Sequence, residues 1–250
     1  MINFVPNLRQ KKVLGYMASK KEISKESIIK NMSSLWDGLG EEEMELLEQH
    51  LIIRKYKKNE VIYKYGDTPL EAMCLIQGKI KVYKDGIGGR NQIIRAIKNY
   101  EFFAYRAYFA GECYRTGAMA IEPCFVASFP IGILVKLMEK NAHIGFFFVK
   151  QLCIEIGKSD DRTINLTQKH IRGRLAEALL FLMDSYGLEE DGYTLSIYLS
   201  REDLASLSNM TTSNAIRTLS AFANEKFIAI DGRKIKLIKK NELKKISDEG

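Results

Sequence analysis

The chain has 250 residues, 46% hydrophobic and 10% aromatic, the composition of a globular protein with room for one large or two medium cores. Its formal net charge of +7 favours a polyanionic partner. No stretch has the length and purity of a membrane span and the N-terminus lacks the apolar core of a signal peptide, so a cytoplasmic protein is expected.

Residues 1–34 are lysine-rich with a weak helical pattern and little to bury, and are read as an N-terminal extension. An amphipathic helix is expected from Leu35-Trp36-Asp37-Gly38-Leu39 through Leu47. Between about 51 and 129 the period changes to short alternating runs, each closed by turn residues. Val61-Ile62-Tyr63 precedes Gly66-Asp67, Met73 to Ile76 precedes Gln77-Gly78, and Ile80 to Tyr83 precedes Asp85-Gly86. Ile93 to Ile97, Gly117 to Ile121 and Cys124 to Phe129 complete a series that predicts an antiparallel sandwich or roll, filling a domain over 35–140. The four cysteines, Cys74, Cys113, Cys124 and Cys153, form no C-x-x-C pair, so reduced thiols in a core are expected in place of disulfides or a metal site.

After Pro130 the helical period returns. A short helix covers Ile131 to Lys140, and a long one fills 141–168. Gly145, Val149, Leu152, Ile156, Ser159, Thr163 and Leu166 alternate steps of four and three along it, a heptad seam that predicts pairing with a second copy. A core helix packed on its own roll is the competing reading, supported by Phe146-Phe147-Phe148, and one helix can do both.

The last segment, 169–250, carries the strongest motif. Ser200, with Asp203 three residues on, is an N-cap signature ahead of a helix with Leu204 and Leu207 on one side. After Ser208-Asn209-Met210, a second helix places Ala215, Leu219, Phe222 and Ala223 inward and leaves Thr212, Ser213 and Arg217 outward. A helix-turn-helix presents that end of its second helix to base edges in the major groove. The same pattern also fits an ordinary helical hairpin. The next stretch of chain favours DNA: Phe227 to Ile230, an Asp231-Gly232 turn and Arg233 to Ile238 read as a β-hairpin, with Lys234 and Lys236 on its cationic face. Such a wing sets cations beside phosphates.

Roll, long helix and winged helix in this order resemble the bacterial cyclic AMP receptor protein and fumarate–nitrate regulator (CRP/FNR) family. The resemblance covers roughly 35–240. It is carried by Leu35-Trp36-Asp37-Gly38-Leu39, by Tyr56 to Ile62 with Gly66-Asp67, by Leu75 to Tyr83, and by Asn165-Leu166 with Gly173-Arg174. It implies an α+β chain: an N-terminal antiparallel β-roll (a jelly-roll like cyclic-nucleotide-binding domains), a dimerisation helix and a C-terminal winged helix-turn-helix. It further implies a homodimer on a two-fold symmetric promoter site, an effector in the roll, and RNA polymerase as a further partner. Thr212, Ser213 and Arg217 align with the family's base-contacting positions; Arg217 fits the arginine that takes guanine O6 and N7, and Thr211 and Asn214 are further candidates.

In the effector pocket the match breaks. The family's cyclic-nucleotide binders carry Gly-Glu-Leu, whose glutamate holds the ribose, and then Arg-Ser or Arg-Thr, whose arginine pairs with the phosphate. Here Ala104-Tyr105-Arg106 stands in the first place and Arg115-Thr116 in the second, while Ser159-Asp160 occupies the place on the long helix that meets the base. Losing the ribose acceptor costs about 1–3 kcal/mol, so cyclic AMP is not expected to be a tight ligand. A small anionic effector at Arg115, with Tyr105, Arg106 and Thr116 nearby, is the open alternative to an empty pocket.

Other sensing chemistries fit less well. No cysteine precedes Cys74, against the family's N-terminal iron–sulfur cluster, and no cofactor is specified by any motif. A haem-based gas or redox sensor would draw its axial ligand from His50, His143, His170 or a cysteine, none of which sits in a haem motif. The strand region contains no histidine for cupin-type metal chemistry, and neither a phosphate loop nor a nucleophile elbow is present, so no enzyme is expected. A module acting through protein contacts is the second alternative.

Overall fold

The computed structural model describes residues 23–86 and 91–250; the first 22 residues of the expected N-terminal extension lie outside them. The remainder of that extension departs from expectation. Helix α1 spans Lys25–Leu35, with Ser24 accepting from the Ser27 amide at its N-cap, and it buries Ile28, Ile29 and Met32. Leu35-Trp36-Asp37-Gly38 therefore ends one helix and turns into the next, α2 (Glu41–His50). Asp37 and Gly38 both take positive φ in that turn. Trp36 is buried and stacks on Phe102 at 5.2 Å.

Two four-stranded antiparallel sheets form the roll. One runs β1 (Ile52–Tyr56), β8 (Cys124–Pro130), β3 (Glu71–Gln77), β6 (Phe102–Phe103); the other runs β2 (Val61–Tyr63), β7 (Gly117–Ala120), β4 (Ile80–Asp85), β5 (Asn91–Ile97). Between them lies a core that includes Leu75, Ile80, Ile97, Phe103 and Val126. On the outer side of the first sheet, α1, α2, α4 (Ile131–Lys140) and the start of α5 (Ala142–Gln168) close a second core around Trp36, Phe129, Leu134 and Phe148. The β3–β4 turn admits only glycine at 78: its φ is +103°, and a Cβ there would lie 2.5 Å from that of Cys124. Strand β6 and the one-turn helix α3 (Arg106–Phe109) have no counterpart among the expected elements, being too short to show a period.

A bulge in the β4–β5 pair shapes everything downstream. Val82 pairs with Arg95, yet Tyr83 pairs with Ile93, leaving Ile94 as an extra residue. The extra residue reverses the alternation. Arg95 lines the cavity between roll and α5, while Ile93 turns away into the core of the C-terminal domain.

That domain comprises α6 (Ile171–Tyr186), α7 (Arg201–Leu207), α8 (Thr212–Asn224), β9 (Ile228–Asp231), β10 (Lys234–Leu237) and α9 (Lys240–Glu249). The N-cap of α7 forms as expected, the Asp203 amide donating to Ser200 Oγ at 3.0 Å. The wing differs by one residue from expectation: Asp231 still pairs with Lys234, so Gly232-Arg233 make the turn. Gly232 at φ +57° meets the left-handed requirement of a two-residue hairpin. Leu195 N and Leu237 N bond to Ile235 O and Tyr193 O, so residues 193–195 flank the wing as a third short strand. Among the described residues no helix is long and apolar enough to cross a membrane.

Candidate DNA-reading surface and effector cavity

Helix α8 is fixed from within by Ala215, Thr218, Leu219 and Phe222, all buried. Arg172 grips its C-terminal end through a bidentate pair with Glu225 at 2.7–2.8 Å. Its other side is open: Thr211, Ser213 and Arg217 are exposed, and Thr212 and Asn214 partly so. Not all these groups are idle. Thr211 Oγ1 caps α8 by accepting from the Asn214 amide at 3.2 Å, and Arg217 donates to Asn214 Oδ1 at 2.5 Å. The latter bond holds the guanidinium against the helix start without removing it from the surface. On the wing, Ile235 and Leu237 point in, and Lys234 and Lys236 point out. Lys236 is partly neutralised by Asp191 at 3.4 Å, and Lys234 lies 5.4 Å from the Tyr198 ring centroid. Asp191 is held well below the usual carboxylate range, chiefly by hydrogen bonds from the Thr194 hydroxyl and amide.

A cavity of about 690 Å³ lies between the roll, α5 and α6. Tyr105, Arg106, Arg115, Thr116 and Ser159 line it. Asp160 is exposed and does not line it, although its neighbours Ser159 and Asp161 do. Ala104 has φ +68°, the left-handed conformation to which the family's glycine at this place is suited. Tyr105 is buried with its ring edge against Phe148 at 4.8 Å, and burial pushes its hydroxyl up to about 12, so it stays a neutral phenol. Arg115 is 66% exposed and pairs with Glu112 at 2.7 Å, which also takes Arg106 at 3.0 Å. One carboxylate thus already holds both arginines expected to meet an effector anion.

Residues that carry no local signature in the sequence do the joining. Arg95 sits between Glu101 at 2.5 Å and Glu155 of α5 at 2.9 Å; burial works against its charge, but the two carboxylates outweigh it and its pKa is raised. Lys81 pairs with Asp203 of α7, Gln92 Nε2 donates to Ser206 O at 2.5 Å, and the Ile93 amide donates to Ser206 Oγ at 2.9 Å. Arg162 of α5 donates to Ile94 O, Ile93 O and Leu207 O, tying the two domains through backbone. No local period announces such long-range contacts.

The heptad positions of α5 do not share one environment in the structure. Its exposed apolar residues include Phe146 (73% exposed), Val149 (57%) and Ile156 (61%), with Ile154, Ile164 and Cys153 also exposed. Leu152 instead packs into the roll-side core, and Leu152, Ser159 and Leu166 line the cavity. Thr163 is exposed, its hydroxyl donating back to Ser159 O. Of the four cysteines, Cys74 and Cys124 lie in the core, whereas Cys113 and Cys153 are exposed.

A roll bordering a cavity, tied through a long helix to a helix-turn-helix and wing, is the architecture of a DNA-binding transcription regulator. Residues 53–141 match the cyclic nucleotide-binding domain and 173–246 the Crp-like helix-turn-helix domain. The chain belongs to the CRP/FNR family of transcription regulators. It is 26% identical over 189 residues to the anaerobic regulatory protein of Bacillus subtilis, covering 75% of this chain and 79% of that one. It is 22% identical over 195 residues to the cAMP-activated global transcriptional regulator CRP of Pasteurella multocida, covering 77% and 92%. The fold is that of FixK2 from Bradyrhizobium japonicum, with TM-score 0.71, 21% identity and coverage of 78% and 96%.

Proposed function

We propose that the protein is a homodimer that binds a two-fold symmetric promoter site through α8 and is controlled by an effector other than cyclic AMP in the cavity. The observation that carries the DNA-binding part is the two-sided character of α8, apolar and buried within, with Arg217 and its short polar neighbours on the surface. Arg217 is the residue that reads guanine, Thr212 and Ser213 read beside it, Thr211 and Asn214 support the helix start, and Lys234 and Lys236 meet phosphates. Dimerisation uses α5 through Val149 and Ile156, with Phe146 extending the apolar face; Thr163 lies alongside, while Leu152, Ser159 and Leu166 serve the cavity side.

Sequences selected from random double-stranded DNA test this reading. A palindromic consensus with half-sites one helical turn apart, protected from nuclease, is the expected result. Arg217→Ala lowers discrimination at one base pair per half-site by about 1–3 kcal/mol while non-specific affinity stays close to wild type. Unchanged preference in that variant refutes the assignment of the reading helix, and a failure to enrich any sequence favours a module that works through protein contacts.

A further inference from the structure

We propose that the end of the cavity facing the C-terminal domain binds an organic anion with an apolar body, its acid group held by Arg162 and Arg174. This rests on reading the cavity as an effector site, and it moves the anion away from Arg115.

The ion pairing of the arginines differs between the two ends. At the roll end every arginine has a carboxylate: Arg106 and Arg115 share Glu112, and Arg95 has Glu101 and Glu155. At the other end, the partners of Arg162 among the described residues are the neutral carbonyls of Ile94 at 2.8 Å, Ile93 at 2.5 Å and Leu207 at 3.3 Å. Burial lowers its pKa, opposed only by Glu177 at a distance. Arg174, in the first turn of α6, gives one bond to Leu166 O at 3.2 Å, and its Nε is buried with no partner among the described residues. Asp161, Glu177 and Asp184 also line the cavity from α5 and α6, but among the described residues none forms an ion pair with Arg162 or Arg174, and Glu177 is engaged by Asn165 and by Lys169 at 3.3 Å.

A partly buried guanidinium with no carboxylate within hydrogen-bonding reach is costly, and a charge-assisted bond to a bound anion recovers part of that cost. Apolar side chains complete the same end, among them Ile94, Leu166, Ala178, Phe181 and Leu207, so the rest of the ligand is apolar. A volume near 690 Å³ lies inside the range of ordinary small-molecule pockets. Carboxylate, sulfonate and phosphate share the required chemistry. A ligand there touches β5, α5, α6 and the end of α7 together, so its arrival is felt in the domain that carries α8.

The test titrates the full chain, without DNA, with 8-anilinonaphthalene-1-sulfonate and with its uncharged counterpart N-phenyl-1-naphthylamine, read by fluorescence. Arg162→Gln and Arg174→Gln each weaken the sulfonate dye by about tenfold or more and the neutral dye by less than about twofold. Arg162→Lys, which keeps the charge, recovers most of the affinity, and Arg115→Gln changes neither dye. Since Arg162 also ties the domains together, Arg174→Gln with an unchanged thermal melt provides the comparison if Arg162→Gln disturbs folding. Equal loss of both dyes, no loss of either, or loss of the sulfonate dye only in Arg115→Gln overturns the proposal. Because DNA is absent, such a failure leaves the operator-selection result untouched.

Discussion

Ile93 is the point at which the docking of the two domains can be measured. It belongs to an edge strand of the roll, yet its side chain is only 4% exposed because it enters the core around Leu179, Leu204 and Leu207. Its amide, which an uncovered edge would present to water, donates to Ser206 Oγ at 2.9 Å. Ile93→Ala removes three buried carbon atoms, which at about 0.8 kcal/mol each amounts to about 2–3 kcal/mol. The neighbouring Lys81–Asp203 pair is partly solvated and adds at most about 1 kcal/mol. The variant therefore shifts the docked-to-undocked ratio by about 30- to 150-fold toward undocked. Amide exchange at position 93, corrected for the intrinsic rate of alanine, should accelerate by that factor while Val126 in the roll core exchanges as before. Exchange at position 93 within about twofold of wild type would refute the claim that docking protects this strand.

Other consequences are open to simpler measurements. Replacing Lys234 and Lys236 with Gln should weaken binding to all DNA sequences alike and lower the salt slope, with the Lys236 share the smaller because Asp191 already offsets it; fluorescence anisotropy at several salt concentrations reads this directly. Val149→Glu with Ile156→Glu sets like charges on the exposed apolar side of α5 and should give a monomer in sedimentation equilibrium at micromolar concentration. Asp191 has a depressed folded-state pKa, so its stabilising effect is present above the ordinary aspartate range and fades as pH falls toward the folded value. Thermal melts of wild type and Asp191→Asn should accordingly differ at neutral pH and converge in acid.

The elements with a strong local period were readable from the residues alone. Alternation marks β4, short apolar runs beside turn residues mark β3 and β8, the Ser200–Asp203 pair marks the start of α7, and the inward stripe of α8 leaves Arg217 outside. Helix α1 escaped because Ile28, Ile29 and Met32 are few against a lysine-rich background, and their burial depends on a roll that the local sequence does not display. Leu152 fits a heptad and a core equally well in the sequence, and within the chain it packs against the roll-side core. Arg115 and Thr116 line the cavity, yet Glu112, three residues upstream of Arg115, changes what they can do. Arg162 and Ile93 owe their roles to partners 45 to 113 residues away, which no window of sequence contains.

Ile94 gives this family member an unusual genetic vulnerability. Because this surplus residue has no opposite number on β4, Ile93 and Arg95 address different compartments although they stand two positions apart. One codon gained between Val82 and Tyr83 would supply the missing opposite number, iron out the bulge and swing both side chains to a common face. The docking of the C-terminal domain on the roll through Ile93 would then be lost with every existing residue still encoded. Point substitutions only loosen that docking, so decoupled descendants should be sought among small insertions in this hairpin.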